Sequence, residues 1–147
     1  MRTAKPSVLK VAYAALSAFG QTAPVPFDVH TGRASGDLPY VVLGTQDVES
    51  PTPGMGSKTD RDTAPTDVLF TARAYGLGAD AALVAAQVAD HVGAWPHPWE
   101  AALSAEGFRL MEADRPTVAP LPRPADASDT PVYGERVTVR LTLQNTA

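Results

Sequence analysis

The stretch LPYVVLG, Leu38 to Gly44, decides the fold. It opens a strand predicted over 39–49. Successive side chains of a strand point to opposite faces, so Tyr40 and Val42 fall on one side and Val41 and Leu43 on the other. Both sides are apolar. A strand in an antiparallel sheet with helices on one face normally shows the other face to water, and alternates accordingly. Something must cover the second side. The candidates are a segment of the same chain, from 21–37 or from a proline-rich stretch further on, and a neighbouring subunit.

The strand runs into Ser50-Pro51-Thr52-Pro53-Gly54-Met55-Gly56, a dense cluster of breakers. A second strand follows from Thr66 to Tyr75. Val68, Phe70, Ala72 and Ala74 alternate there with Leu69, Thr71, Arg73 and Tyr75. The connection carries no helical pattern, which disfavours a parallel crossover. The two strands therefore read as an antiparallel hairpin with a long tip over 50–66.

Upstream, Val8, Val11, Ala12, Ala15, Leu16 and Phe19 recur at helical spacing and predict a helix over Ser7–Phe19. Pro6 suits its first turn and Gly20 its C-terminal cap. Residues 21–37 read as a loop with a short extended piece at Val25–His30. Downstream, Ala81, Val84, Ala85, Val88 and Val92 predict a helix over 79–92, with Asp80 at its positive end. GAWPHPW stops it, and Trp99–Ala105 offers one more helical turn. Phe108–Glu112 reads as a strand. Residues 115–131 hold Pro116, Pro120, Pro122, Pro124 and Pro131 and read as an extended arm or loop. The last strand alternates most clearly: Val137, Val139, Leu141 and Leu143 against Arg136, Thr138, Arg140 and Thr142. The order α-β-β-α-β-β predicts an α+β fold: an antiparallel sheet of about four strands with two helices packed on one face.

The 147 residues fit a single domain spanning 1–147. A chain of this length buries roughly 70% of the surface it exposes when unfolded, so it needs no staple to fold. The absence of cysteine excludes disulfides and thiolate chemistry. A net charge of −4 lacks the basic footprint of a nucleic-acid binder. No apolar run is long enough to span a membrane.

The motifs mostly dissolve on inspection. PGMGSKT, Pro53–Thr59, resembles a phosphate loop, but Ser57 separates Gly56 from Lys58 and the stretch leads to a strand. Asp28 and His30 share a strand face without a third ligand at a recognisable spacing, so no metal is expected. His91 and His97 read as packing or surface histidines. Asp60 and Asp62 flank Arg61 on a solvated tip, which cannot push two carboxyl pKa values apart as acid–base catalysis requires. The sequence holds no nucleophile elbow. Neither catalytic residues nor a cofactor is expected. WPHPW, Trp95–Trp99, could offer a stacking platform, but no basic lining accompanies it. The reading in which both rings cap the core is preferred.

Several stretches together resemble one family. AYAALSAF, LPYVVLG, the SKTDRD tip, DVLFTARAYG and the alanine-rich helix, covering about residues 8–92, resemble the tail terminator (tail completion, head–tail joining) proteins of long-tailed phages and phage-like particles. ERVTVRLTL resembles the family's closing strand. The proline-rich stretch over 115–131 is longer than the family pattern. The resemblance implies a structural virion protein without enzymatic activity. It would form a six-fold ring on the tail tube, stop the tube's polymerisation and join it to the head connector. Its expected partners are copies of itself, the tail tube protein, the connector or stopper protein, and DNA that passes the lumen without specific binding. It would act in the neck or tail of a virion assembled in the host cytoplasm, and no membrane is involved. The candidate interface residues are Lys58, Asp60, Arg61 and Asp62 on the tip, with Tyr40, Val41 and Leu43 on the two-sided strand. The alternatives are another head–tail connector, stopper or minor tail protein and, from a different class, a small ligand-binding or enzymatic α+β domain with WPHPW and His30 near a pocket.

Overall fold

A computed structural model describes residues 4–32, 37–48, 65–122 and 132–146. Helix α1 spans Ala4–Thr22 and is followed by a short strand β1, Asp28–His30. Strands β2 (Tyr40–Val48) and β3 (Thr66–Leu77) come next. Helices α2 (Asp80–Val92) and α3 (Glu100–Ala105) lead to strands β4 (Phe108–Ala113), β5 (Thr117–Pro120) and β6 (Val132–Asn145).

The fold is α+β, as the pattern predicted, but the details differ. Among the described residues the sheet has six strands in the order β1-β2-β3-β6-β4, with β5 also on β6, and there are three helices. It is mixed, because β1 pairs in parallel with β2. Strand β1 falls within the extended piece expected at Val25–His30, but three residues are too few to show a period or to reveal the parallel pairing. Strand β5 lies in the proline-rich arm and pairs only with β6. Proline cannot donate to a ladder, and an edge strand is where a sheet tolerates it. The hairpin expectation holds: β2 and β3 are antiparallel, from Tyr40 opposite Tyr75 to Val48 opposite Asp67.

Strand β6 is the spine. One edge pairs with β3 along twelve residues. The other edge pairs with β4 near its C-terminal end and with β5 nearer its start, so β4 and β5 share one border. Val137, Val139, Leu141 and Leu143 are all buried, together with Val68, Phe70, Ala72 and Ala74 of β3. These even and odd positions face one side, and the three helices fill that side. Val8, Leu16, Val84, Val88, Val92 and Leu103 join the same core cluster. Each fully buried aliphatic side chain contributes about 1.5–3 kcal/mol of transfer free energy.

Helix α1 continues past the predicted end. Gly20 lies inside it rather than capping it. The reason is a close crossing: Phe27 N–H donates to the Gly20 carbonyl at 3.2 Å. A Cβ on Gly20 would stand 2.5 Å from the Phe27 oxygen. Gly78, at φ 57°, makes the turn from β3 into α2, where other residues would be strained. Loop 23–27 is pinned from α2: Gln87 accepts from Val25 N–H at 2.8 Å and donates to the Val25 carbonyl at 2.9 Å.

The two-sided strand now has its answer. Val41 and Leu43 point into the core at 0% and 3% exposure. Val42 is also buried, between His30 on β1 and Arg73 on β3 in the ladder. Tyr40 is only half-buried. The short strand β1, from within 21–37, borders β2 in the sheet along Tyr40–Val42 and sets His30 beside Val42.

Candidate functional site

Two regions hold the residues that the sequence singled out. The first surrounds WPHPW, and its two tryptophans part company. Trp99 is fully buried, while Trp95 is 65% exposed. The expectation that both rings cap the core is thus right for Trp99 and wrong for Trp95. Trp99 ends the loop just before α3 and lies edge-on to Phe70, with ring centres 5.0 Å apart. Its indole Nε1–H donates to His91 Nε2 at 3.0 Å, and its backbone N–H donates to His97 Nδ1 at 3.1 Å. One residue therefore satisfies acceptors on two imidazoles. That arrangement puts the His91 proton on Nδ1 and the His97 proton on Nε2. His91 also stacks on Phe19 of α1 at 4.8 Å.

Burial lowers the pKa of His91. Burial, with the nearby His91 second, pushes His97 down to about 4, against a small opposing effect of the Val92 backbone. His97 Nε2 makes no hydrogen bond of good geometry. Burial thus favours the neutral form of both rings, and both pack against Trp99. His91 and Trp99 were separable from the surface only by knowing the turn geometry, since His91 and Trp99 stand eight residues apart across a loop.

Beside this node, Asp90, Trp95, Asp114, Arg115 and Pro116 line an open cleft of about 590 Å³ between the end of α2 and the β4–β5 link. No three His, Asp or Glu side chains gather as a metal site would need, among the described residues. No helix among them is long and apolar enough to cross a membrane.

The second region is the side of the sheet that the helices leave uncovered. Tyr40, Tyr75 and Gly134 form one row across β2, β3 and β6, and Val42, Arg73 and Arg136 the next. Tyr40 tilts against Tyr75 with ring centres 5.4 Å apart, and His30 meets Tyr40 edge-on at 5.6 Å. Leu121 N–H donates to the Gly134 carbonyl at 2.9 Å and so brings Leu121 and Pro122 over this row. Between them opens a cleft of about 500 Å³, lined by Tyr40, Arg73, Tyr75, Leu121, Pro122 and Val132.

Among the described residues Arg73, Arg109, Arg136 and Arg140 face this side, and only Arg140 is matched by a carboxylate. Arg140 donates to the Asp67 carboxylate through both Nε and Nη2, and Thr142 donates to the same group at 2.7 Å. Burial alone would raise the Asp67 pKa, but the hydrogen bonds of Arg140 and Thr142 and the Arg140 charge outweigh it and hold it below the usual range. Arg73 and Arg136 stand opposite each other across the ladder, both exposed, with no carboxylate bonded to either among the described residues.

Of the predicted interface residues, Tyr40 lies at this cleft, whereas Val41 and Leu43 are committed to the core. Lys58, Asp60, Arg61 and Asp62 lie outside the described residues, as do the PGMGSKT stretch and the arm from 123 onward. Sequence reading missed the Arg73–Arg136 pairing. Both residues sit on the polar side of well-alternating strands, but only the register shows that they meet. No family model matches the chain, and no curated protein matches it significantly.

Proposed function

We propose that this chain is a structural protein of a phage-like tail: a terminator that assembles as a ring on the tube end, stops its growth and presents a surface to the head connector. The observation that carries the reading is the one-sided core. All three helices and the apolar strand faces collect on one side of the sheet. The other side carries tyrosines, unmatched arginines and an open cleft. A surface so equipped suits contact with other protein. The likeness of 8–92 and of the last strand to tail terminator proteins names the kind of contact. The histidines and the buried tryptophan are used in packing, which leaves the chemistry-bearing side chains of WPHPW little to offer a substrate.

The test is co-sedimentation with tail tubes assembled from the tube protein of the same genome. The protein should pellet with tubes in proportion to the number of tube ends and not to their total length. Binding proportional to length would favour a tube-like minor tail protein. No binding to tubes, with binding to the connector alone, would favour a stopper.

A further inference from the structure

We propose that the cleft at Tyr40, Arg73 and Tyr75 docks a second copy of this chain through that copy's Trp95 and Asp90. The inference rests on the ring reading and supplies its contact surface.

The uncovered side carries an unbalanced charge. Like charges directly opposite in a ladder are destabilising. Arg73 and Arg136 are such a pair. The sheet satisfies Arg140 on the same side with Asp67, so a matched arginine is within the reach of this surface. The unmatched pair sits next to a cleft with two aromatic walls and the apolar Leu121 and Pro122. Such a place suits a flat apolar side chain accompanied by a carboxylate.

The same chain displays that combination elsewhere. Trp95 is 65% exposed, although its neighbour Trp99 is fully buried. Asp90 is exposed on the last turns of α2 and lines the same cleft as Trp95. It forms no ion pair among the described residues. Trp95 can enter the tyrosine cleft, where the Arg73 guanidinium can lie against the indole face. Asp90 can then meet the arginine pair, in a charge-assisted and geometrically specific contact.

The two patches lie on different sides of the subunit. Asp90 and Trp95 belong to the helix side, and Arg73 and Arg136 to the uncovered side. Their contact is heterologous, and heterologous contacts build rings when the rotation closes. A self-contact also explains the choice of partner better than DNA does. The chain carries a net charge of −4, and of the arginines on this side Arg140 is already neutralised by Asp67, which leaves few cations for a phosphate backbone.

The experiment compares wild type, Trp95→Ser, Asp90→Arg, the double variant Arg73→Glu/Arg136→Glu, and the swap Arg73→Asp/Asp90→Arg. Sedimentation velocity over a wide concentration range reads association, and tube co-sedimentation reads capping. Circular dichroism melting confirms that each variant folds. Association or capping should weaken at least tenfold in the first three variants and recover at least partly in the swap. If wild type caps tubes and all variants do so equally, the docking assignment is wrong while the ring reading stands. If wild type neither associates nor caps, both fall. If the double variant keeps its association but loses retention of a short DNA duplex, the arginines are a phosphate site and the docking assignment is wrong.

Discussion

Arg73 and Arg136 are register partners on β3 and β6, both exposed on the side of the sheet that the helices leave open. The isolated fold gains nothing from this pairing. Replacing Arg136 with Thr should therefore raise stability, by roughly 0.2–1 kcal/mol, because the cross-strand repulsion disappears and a β-branched residue suits a strand. Urea denaturation at low salt checks this. The gain should shrink as salt is added, since exposed charges are screened. A loss of stability would contradict a repulsive pairing of the two arginines.

Trp99 holds His91 and His97 together with one indole and one backbone donor. Trp99→Phe keeps most of the packing and the backbone bond but strands the His91 acceptor. The expected cost is about 1–3 kcal/mol. Trp99→Ala also opens a cavity beside Phe70 and should cost about 3–5 kcal/mol. Thermal melting of the two variants separates the polar share from the packing share.

Stability should fall on mild acidification, and His97 sets the window. Its folded pKa is about 4, below the ordinary value of 6.5. Between those values the unfolded chain binds the proton more readily than the folded one. The contribution is complete above about pH 6.5 and is lost as pH falls toward 4. Asp67, also held low, adds a loss at more acidic pH still. Urea midpoints at pH 7 and pH 5 should differ by less in His97→Gln than in wild type. An unchanged difference would contradict the buried neutral histidine.

Gln87 clasps both backbone groups of Val25. Gln87→Ala removes a donor and an acceptor at once, at an expected cost of about 1–3 kcal/mol. Hydrogen exchange should show the loss at Val25 first, and then along 23–30, because this loop delivers β1 to the edge of the sheet.

The long elements were legible in the sequence because their periods are strong. The alternation of 137–143 and the stripe from Ala81 to Val92 needed no tertiary information. An extended piece around β1 was legible but its place beside β2 was not, and β5 was hidden in the proline-rich arm, because each is too short for a period and depends on a partner strand. Gly20 misled for a related reason. A glycine near a helix end usually marks the cap, but here the close approach of Phe27 requires it. The apolar content of LPYVVLG was legible, and residues 21–37 were among the candidates beside it, but the pairing that places them there was not. Val42 is covered within the subunit, in a row with His30 that only the parallel pairing of β1 creates. What survives on the open side is Tyr40, the start of the aromatic cleft, and two arginines whose meeting is a matter of register.

The most direct measurement of the central claim is the length distribution of tail tubes polymerised with and without this protein, read from negative-stain images. A terminator should leave tubes that stop elongating when free tube subunits are added later, each with extra density at one end. Tubes that continue to grow at the same rate, with bare ends and the protein left in solution, would contradict the account.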